Sequence, residues 1–371
     1  HIARWRLDGP VERWRLTGMS PFDSIHDVKV TEHHVVFTDL PFVVDPATFT
    51  GGERTTRNQD HTTLWIVAKA DLRDTPVGGT VRAVEVRIPM PTGHLLVDYT
   101  EVEGHLRVIL QQIPLSDLML TMTRDSVDHR TGRSIDPNYE GLVSLAVQPS
   151  VIGRYLIDPT TGVVLDGEIV HDERVWGGVL FTSDSHRPEA RRHQRQLWYG
   201  GIGFDPELVP DEWWRLYGEA TDGLVPADEL PTTAVPGTLS RVDLESMKIT
   251  EVFSYDNGAF PSPPTFVPRR GSEDPDDGYV VVVVHQDGPK EIQVFDAQHI
   301  ERGPLARASA PTFNPNLMLH SCWIPDRPGP RASSYRIPLW RDVLGAVRGI
   351  PAVLARLARL GKAMREAAQS S

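Results

Sequence analysis

Fourteen histidines are spread over the 371-residue chain. Most of them, including His33, His34, His61, His129, His171, His186, His193 and His299, sit in polar or turn-like surroundings that suit a solvated imidazole. Three differ. His26 stands in Ser24-Ile25-His26-Asp27-Val28 and His94 in Thr92-Gly93-His94-Leu95-Leu96, each where a loop enters an apolar run. His320 lies in the apolar Leu317-Met318-Leu319-His320-Ser321-Cys322-Trp323. A neutral imidazole is a ligand for iron, zinc, copper or nickel, and several brought in from separate strands can converge on one ion. No local spacing such as His-Glu-x-x-His links the three, so each keeps two readings: a hydrogen-bonded loop or core histidine, or one corner of a metal site made by the fold.

Competing chemistries are weaker. No Gly-x-Ser-x-Gly elbow occurs, and Ser321 and His320, as neighbours on a strand, point to opposite faces and cannot pair as nucleophile and base. Gly200-Gly201-Ile202-Gly203 lacks the Lys-Ser/Thr ending of a phosphate loop. Cys322 is the single cysteine, which forbids an internal disulfide or a multi-cysteine zinc cage and fits a reducing cytosol.

The elements that would carry these histidines are short strands. Val28–Val36, Thr63–Ala68, Thr80–Ile88, His105–Gln111, Gly141–Gln148, Val179–Thr182 and Tyr279–His285 are rich in β-branched, aliphatic and aromatic residues. Turn chemistry separates them at 128–132, 158–162, 255–258 and 286–288. A weak echo recurs: Tyr155-Leu-Ile-Asp158, Ser240-Arg-Val-Asp243 and Gln293-Val-Phe-Asp296 each place an Asp after an apolar strand, where it can cap the next turn. This predicts an all-β chain of repeated antiparallel sheets, with propeller and sandwich both open. Helix is expected only around Pro210–Glu219 and, as an amphipathic pattern, over 341–371, where six basic residues face Asp342 and Glu366. The plainer reading of that last helix is packing on the body of the fold. The sharper one is a peripheral membrane contact, with an apolar stripe in the interface and arginines meeting lipid phosphates.

The 38 Lys+Arg against 50 Asp+Glu give a net charge of −12, which argues against a general nucleic-acid binder. No apolar run approaches the roughly 20 residues of a spanning helix. The first residue is His1 rather than Met and the opening reads as the middle of a fold, so a preceding segment is expected.

Taken together, the blocks resemble the carotenoid cleavage oxygenases, a family of non-haem iron enzymes that split carotenoids, apocarotenoids and, in some branches, stilbenes. The similar segments are Ser24-Ile-His-Asp-Val through Thr38-Asp-Leu-Pro, His94-Leu-Leu-Val-Asp-Tyr-Thr-Glu, Thr265-Phe-Val-Pro-Arg followed by Glu273-Asp-Pro-Asp-Asp-Gly, and Phe295-Asp-Ala through Leu319-His-Ser-Cys-Trp. Their order spans about residues 4 to 340. The resemblance implies a seven-bladed β-propeller over 1–340, incomplete at its start, with the helix of 341–371 after it. It implies Fe(2+) held on the axis by histidines, of which His26, His94 and His320 map here and a fourth would precede this chain. It also implies O2 and an apolar polyene as reactants, and carbonyl products. Trp65, Phe260, Phe266, Leu319 and Trp323 are candidate tunnel-lining residues, each equally suited to ordinary core.

The family orients its ligand imidazoles with glutamates. Pro263 stands where one is expected, no carboxylate stands near Trp176-Gly177-Gly178-Val179, and Val97 replaces a common Asn. These departures keep a second reading open, a non-catalytic member that binds an apolar ligand. A stilbene-cleaving dioxygenase and an unrelated propeller are also compatible with these residues. A cytoplasmic protein, peripherally associated with membrane, is the expected setting.

Overall fold

The computed structural model describes residues 1–324 apart from 6–8, 20–24, 40–44, 46–52, 145, 146, 184–192, 257, 317 and 319. Its chain divides into two units, His1–Trp323 and Ile324–Ser371; all of the second but Ile324, and with it the helix expected over 341–371, lies outside the described residues.

Apolar runs broken by turn residues give strands throughout. β1 (Ile2–Trp5) and β2 (Val11–Thr17) form a hairpin. β3 (Ile25–Val30), β4 (His34–Asp39) and β5 (His61–Ala68) run as a meander, and a short helix α1 (Lys69–Asp74) follows. β6 (Thr80–Arg82) then pairs parallel to β2, and β7 (Val84–Pro89) closes the meander beside β5. The single strand expected over Val28–Val36 is thus a hairpin. Thr31 Oγ1 accepts the His34 N–H at 2.9 Å and folds the chain back at Glu32-His33, against the β propensity of the run.

β8 (Thr92–Val97) and β9 (Leu106–Gln112) lead to the small pair β10 (Asp117–Thr121) and β11 (Val143–Ser144), all that the described residues show of the strand expected over Gly141–Gln148. β12 (Pro149–Ile157) and β13 (Val164–Trp176) follow. Next come β14 (Gly178–Ser183) and β15 (Gln196–Gly201), the helix α2 (Asp211–Tyr217) within the expected 210–219 window, and β16 (Thr238–Asp243) and β17 (Lys248–Ser254). β18 (Phe260–Pro261), β19 (Thr265–Pro268), β20 (Gly278–His285), β21 (Glu291–Asp296) and β22 (Ala306–Ala308) complete the set.

Four antiparallel meanders result: β3-β4-β5-β7, β8-β9-β12-β13, β14-β15-β16-β17 and β18-β20-β21-β22, with β19 also on β20. Consecutive sheets pack face to face. Val36, Leu64, Ile66 and Ile88 of the first meet Leu95, Leu106, Val108 and Leu110 of the second. Ile109, Ile152 and Val175 of the second meet Leu197, Tyr199 and Val242 of the third. Trp198 and Leu239 of the third meet Phe266, Val280, Val282 and Phe295 of the fourth, Trp198 stacking on Phe266 at 4.9 Å. Each such side chain, buried on both sides, contributes about 1.5–3 kcal/mol. This is the packing of propeller blades rather than of a two-layer sandwich.

The aspartate echo has a structural meaning. Asp158 accepts the N–H of Thr160, Asp243 those of Glu245 and Ser246, and Asp296 that of Gln298. Each caps the turn by which the third strand of a sheet passes toward the fourth. Two histidines expected to be solvated are instead tied between sheets. His34 Nδ1 lies 2.7 Å from Glu101 Oε1, and His193 bridges Asp98 at 3.0 Å and Glu245 at 2.6 Å.

Candidate metal centre

His26 and His94 both sit beside β-bulges. In β3 the register steps from Ile25 opposite Asp39 to Asp27 opposite Thr38, leaving His26 as the extra residue. In β8 it steps from Thr92 opposite Gln112 to His94 opposite Gln111, leaving Gly93 extra. A bulge re-aims the side chains around it, which is why such irregularities gather at functional sites. β3 and β8 each form the edge of their sheet. They are held together by Asp27, whose Oδ2 accepts the Leu95 N–H at 3.2 Å while Oδ1 takes Lys29 Nζ at 2.8 Å and the Val28 N–H at 2.9 Å.

His320 lies near the end of the described chain. Its neighbour Ser321 fastens that segment: Oγ lies 2.9 Å from the Pro263 carbonyl and 3.2 Å from that of Pro264, and accepts from Thr265 Oγ1 at 2.6 Å.

The outcome is a cluster. One ring nitrogen from each of His26, His94 and His320 lies within 4.8 Å of the others. The His26 and His94 rings are 5.2 Å apart at 63°, and those of His94 and His320 5.0 Å apart at 81°, both edge-to-face contacts. An ion bound at about 2.1 Å to each nitrogen sets ligand atoms about 3.0 Å apart when adjacent and about 4.2 Å when opposed. A spread of up to 4.8 Å is wider by as much as about 1.8 Å than adjacent ligands of one ion, so the rings close inward on ligation. Three imidazoles suit iron, zinc, copper or nickel; magnesium and calcium, which require oxygen donors, do not fit.

The electrostatics favour ligation. Burial pushes half-buried His94 down to about 4; Asp27 opposes this, and His320 and His26 add to it. His94 is neutral at pH 7 and presents a lone pair. Burial alone would raise Asp27, but the Lys29 ammonium and the Leu95 N–H outweigh it and hold the carboxyl below its usual range. An anion thus sits beside a neutral imidazole.

The described tunnel candidates have different neighbours. Trp65 packs with Trp14, Phe37 and Leu72, whereas Phe266 belongs to the Trp198 cluster. Phe260 is half-buried and stacks on His285 at 5.3 Å. Trp323 is exposed and Leu319 lies outside the described residues. At the positions where orienting glutamates are expected, Pro263 offers its carbonyl to Ser321, and Gly178 donates its N–H to Ser150 Oγ. The bracing roles of Asp27 and Ser321 are not visible in sequence. Asp27 is legible there only as part of the His-Asp pair, and Ser321 only as a failed nucleophile.

The sequence profile of RPE65, described as retinal pigment epithelial membrane protein, matches residues 6–325. Carotenoid cleavage dioxygenase 8 of Arabidopsis thaliana, a chloroplastic protein, is 36% identical over 91 residues, covering 24% of this chain and 15% of its own length. Isoeugenol monooxygenase of Pseudomonas nitroreducens is 36% identical over 64 residues, 17% of this chain and 13% of that protein. Among solved structures, a threonine-to-alanine mutant of Synechocystis ACO is similar with a TM-score of 0.50 at 19% identity, over 82% of this chain and 53% of that one. An ACO/RPE65 chimera gives 0.50 at 18% identity, over the same 82% and 53%. The chain thus spans about half the length of the solved relatives it matches. Its stacked four-stranded meanders have the β-propeller fold of those structures. With the profile matched over most of its length, the chain belongs to the RPE65 family, that of the carotenoid oxygenases.

Proposed function

We propose that the protein is a non-haem Fe(II) oxygenase that cleaves a conjugated C=C bond of a carotenoid or apocarotenoid with O2. The observation that carries this reading is the convergence of His26, His94 and His320 in a chain of this family. One alkene and one O2 give two carbonyl groups, so atoms and electrons balance without a further reductant. Bound Fe(II) would supply the activation of dioxygen. The chain supplies neutral imidazoles to hold the ion, with positions left open to reactants. Desolvation keeps His94 unprotonated, Asp27 ties the strand that carries His26 to the one that carries His94, and Ser321 fixes the segment that carries His320. No side-chain acid or base is required, and apolar side chains orient the polyene. The tunnel set of Trp65, Phe260, Phe266, Leu319 and Trp323 belongs to this proposal, as do the seven-bladed ring and a fourth histidine from another segment. So does a peripheral membrane contact through 341–371, since a polyene resides in membranes. No helix among the described residues is long and apolar enough to cross one.

A second reading has its own support. Pro263 stands where one orienting carboxylate is expected and none stands near Trp176-Gly177-Gly178-Val179, which favours a member that binds an apolar ligand without turnover. Oxygen consumption and product analysis separate the two. The full 371-residue chain, loaded with Fe(II), is given an apocarotenal or a hydroxystilbene. One O2 consumed per alkene cleaved, lost in His94→Ala, supports the oxygenase. Binding of the apocarotenal without oxygen uptake replaces it with the ligand-binding reading, and cleavage of the stilbene alone moves the substrate to that branch.

A further inference from the structure

Gln111 is 1% exposed, and neither its Nε2 nor its Oε1 has a hydrogen-bond partner among the described residues. Burying an amide in that state costs about 1–3 kcal/mol, and an aliphatic residue of the same size would be the more stable choice. The neighbouring amide is not left so: Gln112 Oε1 accepts from the Tyr155 hydroxyl at 2.9 Å and Nε2 donates to the Pro89 carbonyl at 2.6 Å. The open valence is specific to the Gln111 face of β9.

The sheet register says what that face holds. Gln111 is directly opposite His94 on β8 and directly opposite Ile152 on β12. Opposed residues of antiparallel strands project to one face with Cβ atoms about 4.5–5.5 Å apart. The alternation agrees along the sheet, since Leu96 and Ile109 pack on that face against the third sheet while Leu95 and Leu110 pack on the other. The register therefore places the Gln111 and His94 side chains on one face of adjacent strands. A side chain at Gly178 itself, where β14 opens, would meet the Ser150 hydroxyl, and one at Gly177, where φ is 61°, would be strained.

We propose that Gln111 is the positioning residue of His94, its amide oxygen accepting the ring N–H that His94 turns away from a bound ion. Such a bond fixes the tautomer and the ring plane of a ligating histidine. An amide in place of a carboxylate leaves the site one negative charge poorer and His94 a less basic ligand. The inference rests on the metal-centre reading above.

The test uses Co(II) as the probe, titrated into the metal-free 371-residue chain and followed by its visible absorption, alongside thermal unfolding of the metal-free protein. Gln111→Leu removes an unpartnered amide, so its metal-free unfolding temperature stays equal or rises, while Co(II) affinity falls at least about tenfold. Gln111→Glu keeps the acceptor and holds or exceeds wild-type affinity. Affinity of Gln111→Leu within twofold of wild type overturns the proposal. So does a fall in its metal-free unfolding temperature together with affinity, which would make Gln111 an ordinary structural residue. A wild-type chain that binds no Co(II) overturns the metal-centre reading itself, and that outcome is distinguished by the absence of a wild-type signal.

Discussion

Asp27→Ala tests how the cluster is held. The Asp27 carboxylate makes the hydrogen bond that joins the two histidine-bearing strands β3 and β8. It makes one bond across the strands, at 3.2 Å to the Leu95 N–H, and two within β3, at 2.9 and 2.8 Å to the Val28 N–H and Lys29 Nζ. A backbone N–H bonded to a charged acceptor is worth about 1.5–3 kcal/mol. The Lys29 pair is partly exposed and adds under about 1 kcal/mol. The cross-strand bond and the Lys29 pair together put the loss of unfolding free energy in the metal-free protein at about 1.5–4 kcal/mol. The larger expected effect is on ligation: freed from the brace and from the adjacent negative charge, the triad should lose about 10- to 100-fold in divalent-ion affinity, as other orienting groups do. Urea unfolding of the metal-free chain reads the first quantity and Co(II) titration the second, with Asp27→Asn, which keeps one acceptor oxygen, expected in between. A stability loss of that size with metal affinity unchanged would show that Asp27 ties strands without positioning ligands, and the bracing argument would fail.

Further outcomes follow from other contacts. Ser321→Ala frees the segment that carries His320 from the Pro263 carbonyl and Thr265, and should cost about 1 kcal/mol and about tenfold in Co(II) affinity, with Ser321→Thr retaining both. Arg54 pairs with Asp117 at 2.7 Å, and both are buried. Arg54→Met removes the buried carboxylate's cation, leaving it the Tyr217 hydroxyl and the Met119 N–H, and should destabilise by about 3–5 kcal/mol in thermal or urea unfolding. Burial tends to raise Asp243, but the N–H and hydroxyl of Ser246, Gln196 and the Glu245 N–H outweigh it and hold it below the ordinary carboxylate value. Its stabilisation is therefore complete above the unfolded pKa of about 3.9 and disappears as pH falls through the lower folded one. Asp243→Asn should lose stability at pH 7 and flatten the acid limb of the stability profile, measured by urea unfolding from pH 7 to 2.

The strands were legible where β-branched runs were bounded by turn residues. Thr63–Ala68 and Tyr279–His285 match β5 and β20 to within two residues at either end. β13 was not, because its Val164-Leu-Asp-Gly-Glu stretch carries the polar pattern of an exposed outer strand. The aspartate echo marked real turns, since an Asx cap depends only on local sequence. Gathering of His26, His94 and His320 followed from the family resemblance rather than from spacing, because ligands on different sheets share no periodicity. Gln111, Asp27 and Ser321 could not be assigned without register. Their roles depend on which residue stands opposite, and sequence does not state that across a gap of many residues. Gly178 is similar: the close approach of Ser150 is a matter of sheet packing that sequence does not state.

Metal stoichiometry is the most direct measure of the account. The purified chain, stripped and titrated anaerobically with Fe(II), is predicted to bind one equivalent, and His26→Ala, His94→Ala and His320→Ala are each predicted to weaken binding by at least about tenfold. Wild-type protein that takes up no iron, or that keeps its affinity when all three imidazoles are removed together, would contradict it.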